Sequence, residues 1–196
     1  MTPDLLYNNL LREARTAYTA HAGMMNFAPF PDDIRRQPLE PFHCSCADFL
    51  RGDTSQPPEQ YSALHQAIVA AGPAALWRET YKNTDIDVDF MNRFGCYCII
   101  GEGGPFISDA LRLYIVYMPD RLYYPWHHHP AEEIYLVVSG SAVFKAVGQA
   151  DKTLYPGDTA FHQSNQPHAT ETLASPVLCL VAWHDKFDQG PVWSDM

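Results

Sequence analysis

The stretch from Tyr123 to Gly140, YYPWHHHPAEEIYLVVSG, constrains the fold more than any other part of the chain. It sets three consecutive histidines and a glutamate directly ahead of an apolar run, a composition that packing alone does not call for. On an extended strand successive side chains alternate faces, so His127, His129, Glu133 and Tyr135 point one way and Val137 carries that face into an apolar interior. His128, of the opposite parity, is expected to face away. Imidazole nitrogen and carboxylate oxygen suit first-row divalent metals, and a mixed set leaves coordination positions open. A polar face running into an apolar one is what a metal site at the mouth of a barrel needs.

The flanking sequence says what surrounds that stretch. Thr2-Pro3-Asp4 reads as a helix start, and Leu6, Leu10, Ala14, Ala17 and Tyr18 recur at helical spacing, which predicts an amphipathic helix over 2–22. Residues 23–57 are rich in proline and turn formers and read as irregular chain with one short helix at Cys46–Arg51. A second helix follows Gln56-Pro57-Pro58-Glu59, with Tyr61, Leu64, His65 and Ile68 on one stripe and Gly72-Pro73 as its stop. His65 is read as a packing histidine on that stripe, and a short helical turn is expected at Ala74–Tyr81. From Asp85 the texture changes: Asp85–Phe90 alternates with period two. Runs at Phe94–Ile100, Leu111–Met118, Ser141–Val147, Thr153–Tyr155, Thr159–Gln163, Ala169–Leu173 and Val177–Trp183 are short, β-rich and closely spaced. That is the pattern of a sandwich or barrel. The expected organisation is a helical extension over 1–84 packed on a β-barrel over 85–196 that carries the metal site, forming one compact unit.

A formal charge of −10 argues against nucleic acid and anionic membranes as partners, and no apolar run is long enough to span a bilayer. The five cysteines fall as Cys44-x-Cys46, Cys96-x-Cys98 and a lone Cys179. Neighbours two apart are not a usual disulfide pair, and no secretory signal opens the chain, so reduced thiols in a cytoplasm are expected. The fourth metal ligand should come from a distant segment. His168 is the best candidate, behind a type II turn at Pro156-Gly157 and an Asn165 able to adopt a left-handed conformation. His162 is its competitor.

These intervals resemble the two motifs of the cupin family. His127, His129, Glu133 and Gly140 match the first, and Gly157 and His168 match the second. Arg121 stands where the first motif opens with glycine, and Gln163, Asn165 and Thr172 replace proline, glycine and asparagine of the second. The resemblance implies a mainly β fold, the double-stranded β-helix (jelly-roll) barrel, with His127, His129, Glu133 and His168 as ligands of one divalent metal: Zn, Fe(II), Mn, Co or Ni.

Within cupins the chain is similar to the bacterial dimethylsulfoniopropionate (DMSP) lyases of about this length with a helical N-terminal extension. Tyr124, His127, His129, Glu133, Tyr135, His168 and Trp183 carry that likeness. It implies a carbon–sulfur lyase acting on a small zwitterion, with Tyr135 as base and Tyr124 as a second tyrosine of the same pocket. A sulfonium needs aromatic faces, for which Tyr123, Trp126 and Trp183 are candidates. The competing readings are an Fe(II)-dependent cupin dioxygenase and a non-catalytic small-molecule-binding cupin. The expected assembly is a monomer or homodimer.

Overall fold

The structure is a computed structural model describing residues 2–78 and 87–194. Five α-helices occupy α1 (Pro3–Ala20), α2 (Ala22–Phe27), α3 (Cys46–Arg51), α4 (Glu59–Ala71) and α5 (Val88–Arg93). The strands run β1 (Arg35–Arg36), β2 (Gly95–Ile100), β3 (Phe106–Ile107), β4 (Arg112–Met118), β5 (Tyr123–His128) and β6 (Glu132–Gly140). They continue as β7 (Ala142–Ala146), β8 (Lys152–Leu154), β9 (Thr159–His162), β10 (His168–Glu171), β11 (Val177–His184) and β12 (Val192–Trp193). They form a seven-stranded sheet, β1-β3-β2-β4-β11-β6-β9, and a five-stranded sheet, β12-β5-β10-β7-β8. No helix among the described residues is long and apolar enough to cross a membrane.

Strand parity sorts the larger sheet into two cores. On β6 and β11, Ile134, Leu136, Val138, Leu178, Leu180 and Ala182 face α1 and α4 and pack with Leu10, Ala14, Leu64 and Ile68. The alternate residues Tyr135, Val137, Cys179, Val181 and Trp183 face the five-stranded sheet and meet Tyr124, Ala142 and Phe144. Both faces of these strands are covered, so they read as continuous apolar runs rather than clean alternation. Gly140 ends β6 at φ +72, and a Cβ there would lie 1.8 Å from the Pro176 carbonyl oxygen. Only glycine fits.

Four expectations need correcting. Asp87–Phe90 is not strand: the Asp87 carboxylate caps α5 by accepting the Asp89 N–H at 3.0 Å, which aspartate at an N-cap does well. Asp85 and Ile86 lie outside the described residues, as does the 79–81 part of the helical turn expected at 74–81. The described part of that turn is a 3₁₀ turn at Gly72–Ala74, after which Leu76 and Trp77 bridge to Phe42 and Tyr97. The segment read as irregular opens with α2, whose start is capped by His21 Nδ1 accepting the Met24 N–H. Finally, Cys44 and Cys46 are joined in a disulfide. The chain there turns into α3 instead of lying on a strand, and the Cα atoms stand 5.5 Å apart, within bridging range. Cys96, Cys98 and Cys179 are free.

Candidate metal centre

The His-rich stretch is two strands, not one. β5 lies in the five-stranded sheet and β6 in the seven-stranded sheet, and His129 sits in the connection between them. His168, the first residue of β10, pairs with His127 across the smaller sheet, while Glu133 pairs with both His162 and Trp183 across the larger one. The two sheets therefore bring distant segments face to face.

Each of three histidines has its ring fixed by a short local bond. Nδ1 of His127, His129 and His168 lies 2.8, 3.0 and 2.9 Å from the carbonyl oxygens of Pro125, Ala131 and Gln166. A carbonyl only accepts, so Nδ1 carries the hydrogen and Nε2 keeps its lone pair, the tautomer a metal ligand requires. Nε2 of His129 and of His168 stands 3.4 and 3.1 Å from Glu133 Oε2. All three atoms are buried and have no hydrogen-bond partner. The ligand atoms of His129, Glu133 and His168 lie within 4.8 Å of one another, a group that can hold a metal ion. Three buried lone-pair donors with nothing to receive them fit a cation. The remaining oxygen, Oε1, accepts the Trp183 indole N–H at 2.6 Å, and that indole stacks on His129 at 4.1 Å.

His127 stands outside the converging group. Its ring stacks on Tyr124 at 4.0 Å and meets His168 edge-on at 4.1 Å. Burial, then the neighbouring His168, keep it well below the ordinary histidine value, hence neutral. Tyr124 and His127 differ in parity, yet both are buried. The cause is a bulge: three steps on β5, His127 to Tyr124, oppose two on β10, His168 to Thr170. His162, the competitor for fourth ligand, stacks flat on His168 at 4.0 Å with both ring nitrogens buried and partnerless, and burial pushes it down to about 3.

Tyr135, on the inward face of β6, lines a cavity of about 40 Å³ together with Tyr124, Glu133, Trp183, Tyr114 and Phe94. Of the residues assigned to a sulfonium, Trp183 is on this wall. Tyr123 is 41 % exposed with Lys145 over its ring, and neither it nor half-buried Trp126 lines the cavity. Sequence reasoning missed Phe94, Tyr114 and Arg78. The even-numbered inward parity of β4 points to Tyr114; nothing local signals Arg78.

The departures from the two motifs find physical substitutes. Arg121 adopts φ +54, the left-handed conformation that a glycine takes more easily. Asn165 adopts φ +58, and its N–H donates to the His129 carbonyl at 2.8 Å, tying the His168 loop to the His129 turn. The buried Thr172 hydroxyl accepts the Leu122 N–H and donates to the Pro119 carbonyl.

Two facing, mainly antiparallel sheets with a His/Glu cluster between them define a cupin barrel. More narrowly, residues 27–179 match the model of the dimethylsulfoniopropionate lyase family. The chain is 43 % identical over 189 residues to the dimethylsulfoniopropionate lyase DddQ of Ruegeria pomeroyi, covering 96 % of this chain and 94 % of that protein. The crystal structure of DddQ from R. pomeroyi superposes with a TM-score of 0.95 at 42 % identity over 97 % of both chains. A structure described with the DMSP lyases RdDddP and RnDddQII superposes with a TM-score of 0.95 at 35 % identity, over 99 % of this chain and all of that one. The chain belongs to the DMSP lyase family.

Proposed function

We propose that this chain is a metal-dependent lyase that cleaves DMSP by β-elimination to dimethyl sulfide and acrylate. The observation that carries the reading is the convergence of the partnerless Nε2 atoms of His129 and His168 on Glu133 Oε2, with Glu133 and Tyr135 on the wall of one cavity. Similarity to a lyase of this substrate along nearly the whole chain supports the choice of reaction.

His129, Glu133 and His168 hold one divalent transition metal (Zn, Fe(II), Mn, Co or Ni), since this ligand set is permissive across the first row. When bound, the ion supplies Lewis acidity to the substrate carboxylate and favours a nearby phenolate. His127, between Tyr124 and His168, keeps the His168 ring aimed at Glu133. Tyr135, as phenolate, takes the proton α to the carboxylate. The C–H pair becomes the C=C bond of acrylate, and the C–S pair leaves with sulfur as neutral dimethyl sulfide. Tyr124 backs Tyr135 in the same cavity, and the rings of Tyr124, Phe94 and Trp183 offer faces to the sulfonium. Each good cation–ring contact is worth about 0.5–2 kcal/mol.

The test is anaerobic incubation of metal-loaded protein with DMSP and headspace detection of dimethyl sulfide. Release without oxygen, lost on chelation and restored by metal, supports the reading. No release with any of the five metals would sink it, and turnover only with Fe(II) and oxygen would move the chain to the dioxygenases.

A further inference from the structure

Building on the lyase reading, we propose that Arg78 is a second anchor for the substrate carboxylate, in addition to the metal, and fixes the substrate's direction in the cavity. Its main chain is built into the larger sheet. Trp77 bridges to Tyr97, and the Arg78 N–H donates to the Cys96 carbonyl at 2.8 Å. Trp77 and Tyr97 face the helices. Arg78 has the other parity, and its side chain lies on the wall of the cavity that contains Glu133 and Tyr135. The guanidinium sits 5.4 Å over the Tyr114 ring on that wall.

Among the described residues, the groups that act most strongly on it carry no negative charge. Burial pushes the Cys96 thiol up to about 11, and it raises the Cys98 thiol and the Tyr114 phenol too, so all three are neutral at pH 7. Among the described residues no carboxylate forms an ion pair with Arg78. Glu133 is committed to His129, His168 and Trp183. Glu102 and Asp188 line the adjoining outer cavity of about 490 Å³, which Arg78 also borders, and not the inner one. Arg112, the other cation of that outer cavity, is already occupied: its guanidinium lies 3.9 Å over Phe187 and donates to the Ser108 carbonyl.

A half-buried guanidinium with no acidic partner among the described residues, at the junction of the two cavities, is poised for a visiting anion. Its planar fork matches a carboxylate bidentately, which a lysine would not. It also repels a sulfonium, so a zwitterion entering backwards meets like charge. Arg78 thus sets orientation as well as affinity.

Calorimetric titration of metal-loaded protein with propionate, and separately with dimethylpropylsulfonium, reads the contact without turnover. Dimethyl sulfide release by the same wild-type preparation tests the lyase reading on its own. For Arg78→Gln the expected result is about 10- to 100-fold weaker propionate binding with dimethylpropylsulfonium unchanged or tighter. Arg78→Lys, which keeps the charge and stem, is expected to lose about 3- to 10-fold for propionate and serves alone if the glutamine variant does not accumulate. Equal weakening of both ligands, or unchanged propionate binding, would overturn the assignment.

Discussion

The two faces of β6 and β11 belong to one pair of strands and do opposite things. Toward the helices, Leu136, Leu178 and Leu180 are fully buried against apolar partners. Toward the smaller sheet the same strands present Glu133, Tyr135 and Trp183, and buried nitrogens and an oxygen there lack partners. The outer face is satisfied and the inner face is not. Strand alternation lets one element serve as scaffold on even-numbered positions of β6 and as site on odd ones, with stability and chemistry separated by a single peptide unit.

That separation is open to direct attack. Removing an inner ligand, His168→Ala, is expected to cost about 10³-fold or more in dimethyl sulfide release and to abolish stoichiometric metal binding, while circular dichroism stays native. Tyr135→Phe should lower release by about 10²- to 10⁴-fold with metal content intact, which separates base from ligand. On the other face, Leu180→Ala should cost about 2–5 kcal/mol in denaturant unfolding and leave activity per folded molecule near wild type. An outer truncation that removed activity, or an inner one that only lowered stability, would break the division.

Smaller effects sharpen it. Trp183→Phe keeps the ring but deletes the N–H that holds Glu133 Oε1, so metal affinity should fall about 10- to 100-fold by competition with a chelator. Beneath the helices a different polar group is fully provided for. The Asp53 side chain is 3 % exposed, accepts the Ser55 N–H and hydroxyl, and lies 3.6 Å from the His65 ring. Burial works to raise its carboxyl, but the His65 ring beside it and the bonds from Ser55 outweigh it and leave it below the ordinary aspartate value. A depressed folded value means stability that is present above the unfolded pKa near 4 and is lost as pH falls through the folded one. Asp53→Asn should therefore cost about 1–3 kcal/mol at pH 7 and flatten the acid limb of the stability profile, read by urea midpoints between pH 2 and 7.

What the sequence made legible follows the same line. Periodicity found α1, α4 and the strands, because covered faces impose a repeat. Asn165 and Gly157 were readable as left-handed positions, because few residue types adopt that conformation; both do, at φ +58 and +95. His65 was readable as lying on the buried stripe of α4, and it does, with its ring 3.6 Å from Asp53. Parity named His127, His129, Glu133 and Tyr135 for one face, although the path between them crosses from one sheet to the other and His127 is not in the converging group. It could not foresee the bulge that turns Tyr124 inward beside His127, since an extra residue in a strand leaves no compositional mark. Arg78 was hidden for another reason: it reaches the cavity through a main-chain bond to a strand on which it does not lie. The Cys44–Cys46 bridge depends on a turn into α3 that spacing alone does not specify. Short-range rules carry the fold, and long-range pairing carries the site.

The indole of Trp183 lies against one ligand and donates to another. Any cation settling on His129 and Glu133 changes the electric field across that ring, and so the colour and yield of its fluorescence. The protein carries its own optical gauge of occupancy, wired to the centre by a single hydrogen bond.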